Sequence, residues 1–143
     1  MIDKTDNFNK WNIGDKEILK HTIKEKDVED FAKLTGDNNP LHMDDDFTSK
    51  TRFGKRVVHG MLSASFISTI IGTKIPGKGA LWLSQSLNFL EPARIGDEIT
   101  IFASIVGKSE SQKVLSLDIK SLRLKLELFI SLLVVNKIFK LLL

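Results

Sequence analysis

Gly60-Met61-Leu62-Ser63-Ala64-Ser65-Phe66-Ile67-Ser68-Thr69-Ile70-Ile71-Gly72 reads as a helix with no charge on any side. Met61, Leu62, Ala64, Phe66, Ile67, Ile70 and Ile71 fall around nearly its whole circumference, and serine or threonine fills the gaps. A helix that is apolar or small all round belongs in an interior. It is shorter than the roughly 20 residues a bilayer requires, so the rest of the chain must wrap it.

The wrapping material follows directly. Leu81, Leu83, Leu87 and Phe89 share one face at period two, as do Ile99, Ile101, Ala103 and Ile105 after the turn at Gly96-Asp97. Leu115, Leu117 and Ile119 repeat the pattern after the polar stretch 108–112. Short connections make neighbouring strands antiparallel, so the layout is α+β: a long helix laid against a curved antiparallel sheet. Upstream, 17–23 reads as a short strand. Residues 27–34 read as a helix with Val28, Phe31 and Leu34 on one face, stopped by Gly36-Asp37-Asn38-Asn39-Pro40. Residues 41–57 read as polar and irregular, and 1–12 as a loose arm. Downstream, Leu122, Leu124, Leu126, Leu128 and Ile130 alternate out of phase with Leu115 to Ile119, and a helical reading fits nearly as well. No glycine or proline follows Gly107, and Asn136 is the one plausible turn residue there.

The 143 residues suit one domain, 1–143. A net charge of +3 is too small to imply nucleic acid, and a lysine-rich surface explains it as well as an anionic ligand does. The absence of cysteine excludes disulfides, thiolate zinc sites and cysteine nucleophiles. Residues 1–11 are polar and mixed in charge, and the apolar run 128–135 is short and flanked by charge. The chain therefore reads as cytoplasmic, with no membrane contact.

Asp37 and His42 are the pair that could do chemistry. They flank Asn38-Asn39-Pro40, and a proline bend can bring a carboxylate and an imidazole onto one water. On spacing alone the signal is weak, and a turn in which Asp37 caps backbone amides and His42 opens a strand is the commoner explanation. The wider sequence adds to this. Gly36-Asp37-Asn38-Asn39-Pro40-Leu41-His42 resembles the Gly-Asp-x-Asn-Pro-Leu-His signature of the MaoC-like, R-specific enoyl-CoA hydratases. Val58-His59-Gly60-Met61-Leu62 resembles a second family block. Pro76-Gly77-Lys78-Gly79, Gln85-Ser86-Leu87-Asn88-Phe89 and Ile95-Gly96-Asp97-Glu98 continue the likeness over roughly residues 13–120.

That resemblance implies a hot-dog fold, a homodimer with its site near the subunit interface, acyl-CoA thioester substrates, and neither metal nor cofactor. It makes Asp37 and His42 the catalytic pair. Asn39 would orient their loop, or serve only as an Asn-Pro turn. Attack at C3 of an enoyl thioester places negative charge on the carbonyl oxygen, and the start of a helix at Gly60 offers N–H groups to it. Close packing alone would also explain that glycine. His59 would position the helix start, and His21 reads as a surface or satisfied histidine. Ser68 aligns with a family serine near the pair, or is a small residue facing the sheet. Ile71 would line an acyl tunnel, though core packing asks for the same residue. Arg52, Lys55 and Arg56 could meet coenzyme phosphates or form a solvated basic loop.

Two departures from the family pattern stand out. Thr48 replaces the usual alanine or serine, and 121–143 is leucine-rich where the family closes with a polar, glycine-containing hairpin. Rival readings are an acyl-carrier-protein dehydratase of the same fold, a non-catalytic acyl-thioester-binding module, and a thioesterase.

Overall fold

The computed structural model describes residues 8–124, 131–135 and 139–142. The elements run β1 (Lys16–Thr22), α1 (Glu25–Thr35), α2 (Pro40–Met43), α3 (Asp45–Ser49), α4 (Gly60–Thr73), β2 (Leu81–Ser84), β3 (Glu98–Ser109), β4 (Val114–Leu124), β5 (Ser131–Val135) and β6 (Phe139–Leu142). The strands form one antiparallel sheet in the order β1-β3-β4-β6-β2, with β5 also paired to β4. β5 and β6 lie end to end along the edge of β4, with Lys120 opposite Val135 and Leu117 opposite Phe139. The α+β layout expected from the sequence is the one observed.

The core lies between α4 and the sheet. Ile67, Ile70 and Ile71 of α4 pack with Ile101 and Ile105 of β3 and Leu117 of β4, all buried. Burying a side chain of this size contributes about 1.5–3 kcal/mol, so this one face fastens helix to sheet. A second cluster of Ile23, Val28, Val58, Leu62, Ala93 and Ile99 ties α1 and the start of α4 to the same sheet.

Several expectations need correcting. The helix is not wrapped on every side: Met61, Ser65, Ser68, Thr69 and Gly72 are exposed in the single chain. The arm is not loose from Phe8 onward, because Phe8 is fully buried and the Trp11 indole N–H donates to the Pro76 carbonyl at 3.0 Å. Leu34 is 83% exposed; the inner face of α1 is carried by Val28 and Ala32, with Phe31 half-buried. In β2 the inward residue is Trp82, while Leu81 and Leu83 face out, and the strand ends at Ser84 before Leu87 and Phe89. Residues 41–57 hold two short helices, α2 and α3, each begun by a side-chain cap: Asn39 accepts from Leu41 N–H and Asp44 from Phe47 N–H. Thr48 is fully buried, its hydroxyl satisfied by the Asp44 and Asp45 carbonyls, so the extra methyl relative to serine is packed.

β4 shows no phase slip. Its inner face continues through Leu115, Leu117 and Ile119 to Ser121 and Arg123, and Leu122 lies on the other face, partly buried. Arg123 is buried against acceptors: Nη1 donates to the Pro92 carbonyl at 2.8 Å and to Asp97 at 3.3 Å, and Nη2 to Glu91 at 3.3 Å. The leucine-rich segment forms strands at 131–135 and 139–142. Asn136 lies outside the described residues. The β3–β4 hairpin turns at 110–113 without glycine, with Lys113 at φ 53 and its ammonium 3.0 Å from Glu110.

His21 is a satisfied histidine: Nε2 lies 2.8 Å from Asp27 Oδ2 and the ring stacks on Phe66 at 4.0 Å. Burial works against the Asp27 carboxylate. The Lys24 N–H and the His21 imidazole nevertheless hold its carboxyl below the ordinary carboxylate range.

Candidate active site

Glycine at 36 ends α1 because the chain there turns into the left-handed region, φ 79, where other residues are strained. The turn sends Asp37 to Asn39 across the first turn of α4. Asp37 Oδ1 accepts the Asn39 N–H at 3.2 Å, and Asn39 Oδ1 accepts the Leu41 N–H at 3.0 Å. Asn39 is thus the N-cap of α2, which presents His42. Backbone bonds from His42 N–H to the Asn39 carbonyl and from Val57 N–H to the Leu41 carbonyl fix the placement.

A carboxylate oxygen of Asp37 and ring nitrogens of His42 and His59 all lie within 4.8 Å of one another. The orientation of each ring follows from one hydrogen bond. His42 Nδ1 lies 2.7 Å from the Val57 carbonyl, and a carbonyl only accepts, so Nδ1 carries the proton. Neutral His42 therefore offers a lone pair at Nε2. His59 Nε2 donates to the Asp37 backbone carbonyl at 2.9 Å, and its Nδ1 is buried without a hydrogen-bond partner among the described residues. The two imidazoles meet at a tilt of 34° with centroids 3.9 Å apart, and the Phe31 ring packs against His59 at 5.0 Å. His59 thus ties the Asp37 turn to the start of α4 and backs the His42 ring. The sequence placed it only at the helix start; the Val-His-Gly block was the available signal for more.

Two geometric facts bear on chemistry. A water making ordinary hydrogen bonds of about 2.7–3.0 Å can span a carboxylate and an imidazole nitrogen this close. The same three groups have the donor chemistry of a divalent-cation site, although each imidazole already has one nitrogen committed to a backbone carbonyl.

Gly60 opens α4, whose first intrahelical bond runs from Ser63 N–H to the His59 carbonyl. The preceding N–H groups of Gly60, Met61 and Leu62 lie outside the ladder, at the positive end of the helix dipole. A Cβ at Gly60 would come within 3.2 Å of the Phe89 ring, so a larger residue would push on that wall. Gly60 and Phe89 line a cleft of about 300 Å³, together with Arg52, Val57, Ser63 and Glu91.

Two expected residues are not brought to this cluster within the single chain. Ser68 is exposed eight residues further along α4, about 12 Å at helical rise, and its hydroxyl forms no hydrogen bond with any described residue. Ile71 is 3% exposed and belongs to the core beneath the helix, away from the cleft lining. Of the basic loop, Arg56 is held by Glu25 and Asp45, while Arg52 and Lys55 are exposed.

The chain is similar over 94 residues, at 46% identity, to a 3-hydroxybutyryl-CoA dehydratase of Methylorubrum extorquens, a match covering 66% of this chain and 60% of that protein. It is 44% identical over 100 residues to an (R)-specific enoyl-CoA hydratase of Rhodospirillum rubrum, covering 70% of this chain and 69% of the relative. Among solved structures, an (R)-hydratase from A. caviae involved in PHA biosynthesis superposes with a TM-score of 0.85 at 33% identity. That match covers 92% of this chain and 97% of the other. The fold is accordingly the hot-dog fold, an antiparallel sheet packed on a central helix. The family model described as "MaoC like domain" matches residues 13–122, from before β1 into β4, and this chain belongs to that family.

Proposed function

We propose that the protein catalyses the R-specific addition of water to trans-2-enoyl-CoA, giving (R)-3-hydroxyacyl-CoA, and the reverse dehydration. The carrying observation is the convergence of Asp37 and His42 on a loop fastened to the first turn of α4. The relatives named as hydratases and dehydratases support the reaction class and its hand.

Water held between Asp37 and His42 attacks C3 of the enoyl group. As the new C–O bond forms, the double-bond electrons move towards C2 and the thioester oxygen, and the water's proton passes to the pair. The N–H groups at Gly60 stabilise charge on that oxygen. A proton from the pair then closes the reaction at C2, so hydroxyl and hydrogen are both accounted for. The two proton transfers belong to the pair as a unit. Asn39 holds the loop in place by capping α2. A purified sample should remove the enoyl absorbance of crotonyl-CoA without releasing free thiol. Release of free thiol would instead indicate a thioesterase.

We further propose that the single MaoC-like domain works as a homodimer. The supporting observation is the uncovered side of α4, where Met61, Ser65, Ser68 and Thr69 are exposed on a helix without any charge. Such a face suits close approach of a second copy, which would also bring cover to Ser68. Sedimentation equilibrium should give twice the chain mass; a monomer at micromolar concentration would reject this.

A further inference from the structure

The arginines around the cleft are not equivalent. Arg56 forms a two-pronged pair with Glu25 at 2.7 and 2.9 Å and a further contact with Asp45 at 3.1 Å. Arg94 turns its guanidinium onto the 53–56 loop, donating to the carbonyls of Phe53, Lys55 and Arg56. Arg123 is directed to Pro92, Glu91 and Asp97. Each of these guanidiniums is engaged through its Nη atoms by protein acceptors, and together they brace the cleft.

Arg52 differs from all three. It lines the same cleft as Gly60, is exposed, and makes no hydrogen bond or ion pair with any described residue. Its guanidinium carbon sits 4.9 Å from the Phe53 ring centroid, an apolar support that restricts its wandering without using any of its N–H donors. Glu91 is the other charged residue lining the cleft, and Arg123 holds it at 3.3 Å. The cleft mouth therefore carries an uncompensated guanidinium next to a loop braced by Arg94. A guanidinium fork matches phosphate oxygens in geometry as well as charge.

We propose that Arg52 binds a phosphate of the coenzyme A carrier at the cleft that Gly60 also lines. This rests on the hydratase reading and deepens it, by assigning the residue that selects a phosphorylated carrier.

The test compares wild type, Arg52→Glu and the charge control Lys16→Glu, which alters an exposed β1 residue with no ion-pair partner among the described residues. Calorimetry with free coenzyme A and with pantetheine reads carrier binding without turnover. Kinetics with crotonyl-CoA and crotonyl-pantetheine read it through kcat/KM. Loss of a charge-assisted bond should weaken coenzyme A binding by about ten- to a hundredfold in Arg52→Glu. The preference for the coenzyme A ester over the pantetheine ester should fall in step, with Lys16→Glu matching wild type. Equal losses on both ligands, unchanged coenzyme A binding, or a wild type that binds pantetheine as tightly as coenzyme A would each overturn the proposal. A wild type that hydrates neither ester defeats the hydratase reading, and the calorimetry still decides Arg52.

Discussion

The Val57 carbonyl, 2.7 Å from His42 Nδ1, determines what the other ring nitrogen can do, because it fixes the proton on the far side of the ring. Asp37 is constrained in a similar way, with one oxygen on the Asn39 N–H. Asp37→Asn keeps an acceptor for that N–H, and His42→Ala leaves the Val57–Leu41 backbone bond in place, so both variants should fold. Each should lower kcat by about 10²–10⁴-fold, the usual contribution of general acid–base catalysis. The double variant should be little worse than either, since both groups serve one water. Steady-state rates checked by circular dichroism read this; independent, multiplying losses would mean that the two residues do not share a step. That the proline turn brings Asp37 and His42 together was legible in the sequence, because Pro40 and the Gly-Asp-x-Asn-Pro-Leu-His pattern mark it. The bracing role of His59 was not, because its partner is a backbone carbonyl 22 residues away, and any residue type supplies a carbonyl.

β4 shows why the end of the chain was hard to read. Alternating leucines from Leu122 onward suggested that the inward face had changed, yet the strand runs straight on and places Ser121 and Arg123 inside. Hydrophobic period carries no signal where a buried position holds an arginine, and acceptors at Glu91, Pro92 and Asp97 are what hold it there. Strand β3 was legible because its buried residues Ile99, Ile101, Ala103 and Ile105 keep one period; α1 and α4 were legible as helices, but not the faces they bury, since Leu34 is exposed and α4 is open on one side. In β2 the alternation was visible but its inward side was not, since one tryptophan faces in between outward leucines. Arg123→Met should destabilise the protein by about 3 kcal/mol, because Asp97 then stays half-buried without its cation. Urea unfolding measures it. A neutral substitution would mean that this arginine is not braced against 91–97.

Across the whole molecule, the antiparallel sheet supplies one side of α4 with its cover and the 23–99 cluster anchors the loop that presents the pair. The α+β class followed from a chargeless helix beside alternating strands. The exposed half of that helix could not be read in advance, because an apolar or small surface looks the same in sequence whether the sheet or a second copy covers it. Among the described residues no helix is long and apolar enough to cross a membrane. The molecule brings Asp37 and His42 together beside the start of α4, and Gly60 at that start lines the neighbouring cleft; the proposed hydration assigns water to the pair and the thioester to the cleft. The stereochemistry of the product tests that combination most directly. Crotonyl-CoA incubated with the folded protein and resolved by chiral chromatography should give the R-3-hydroxybutyryl product alone; the S product, a racemate, or only crotonate and free coenzyme A would contradict it.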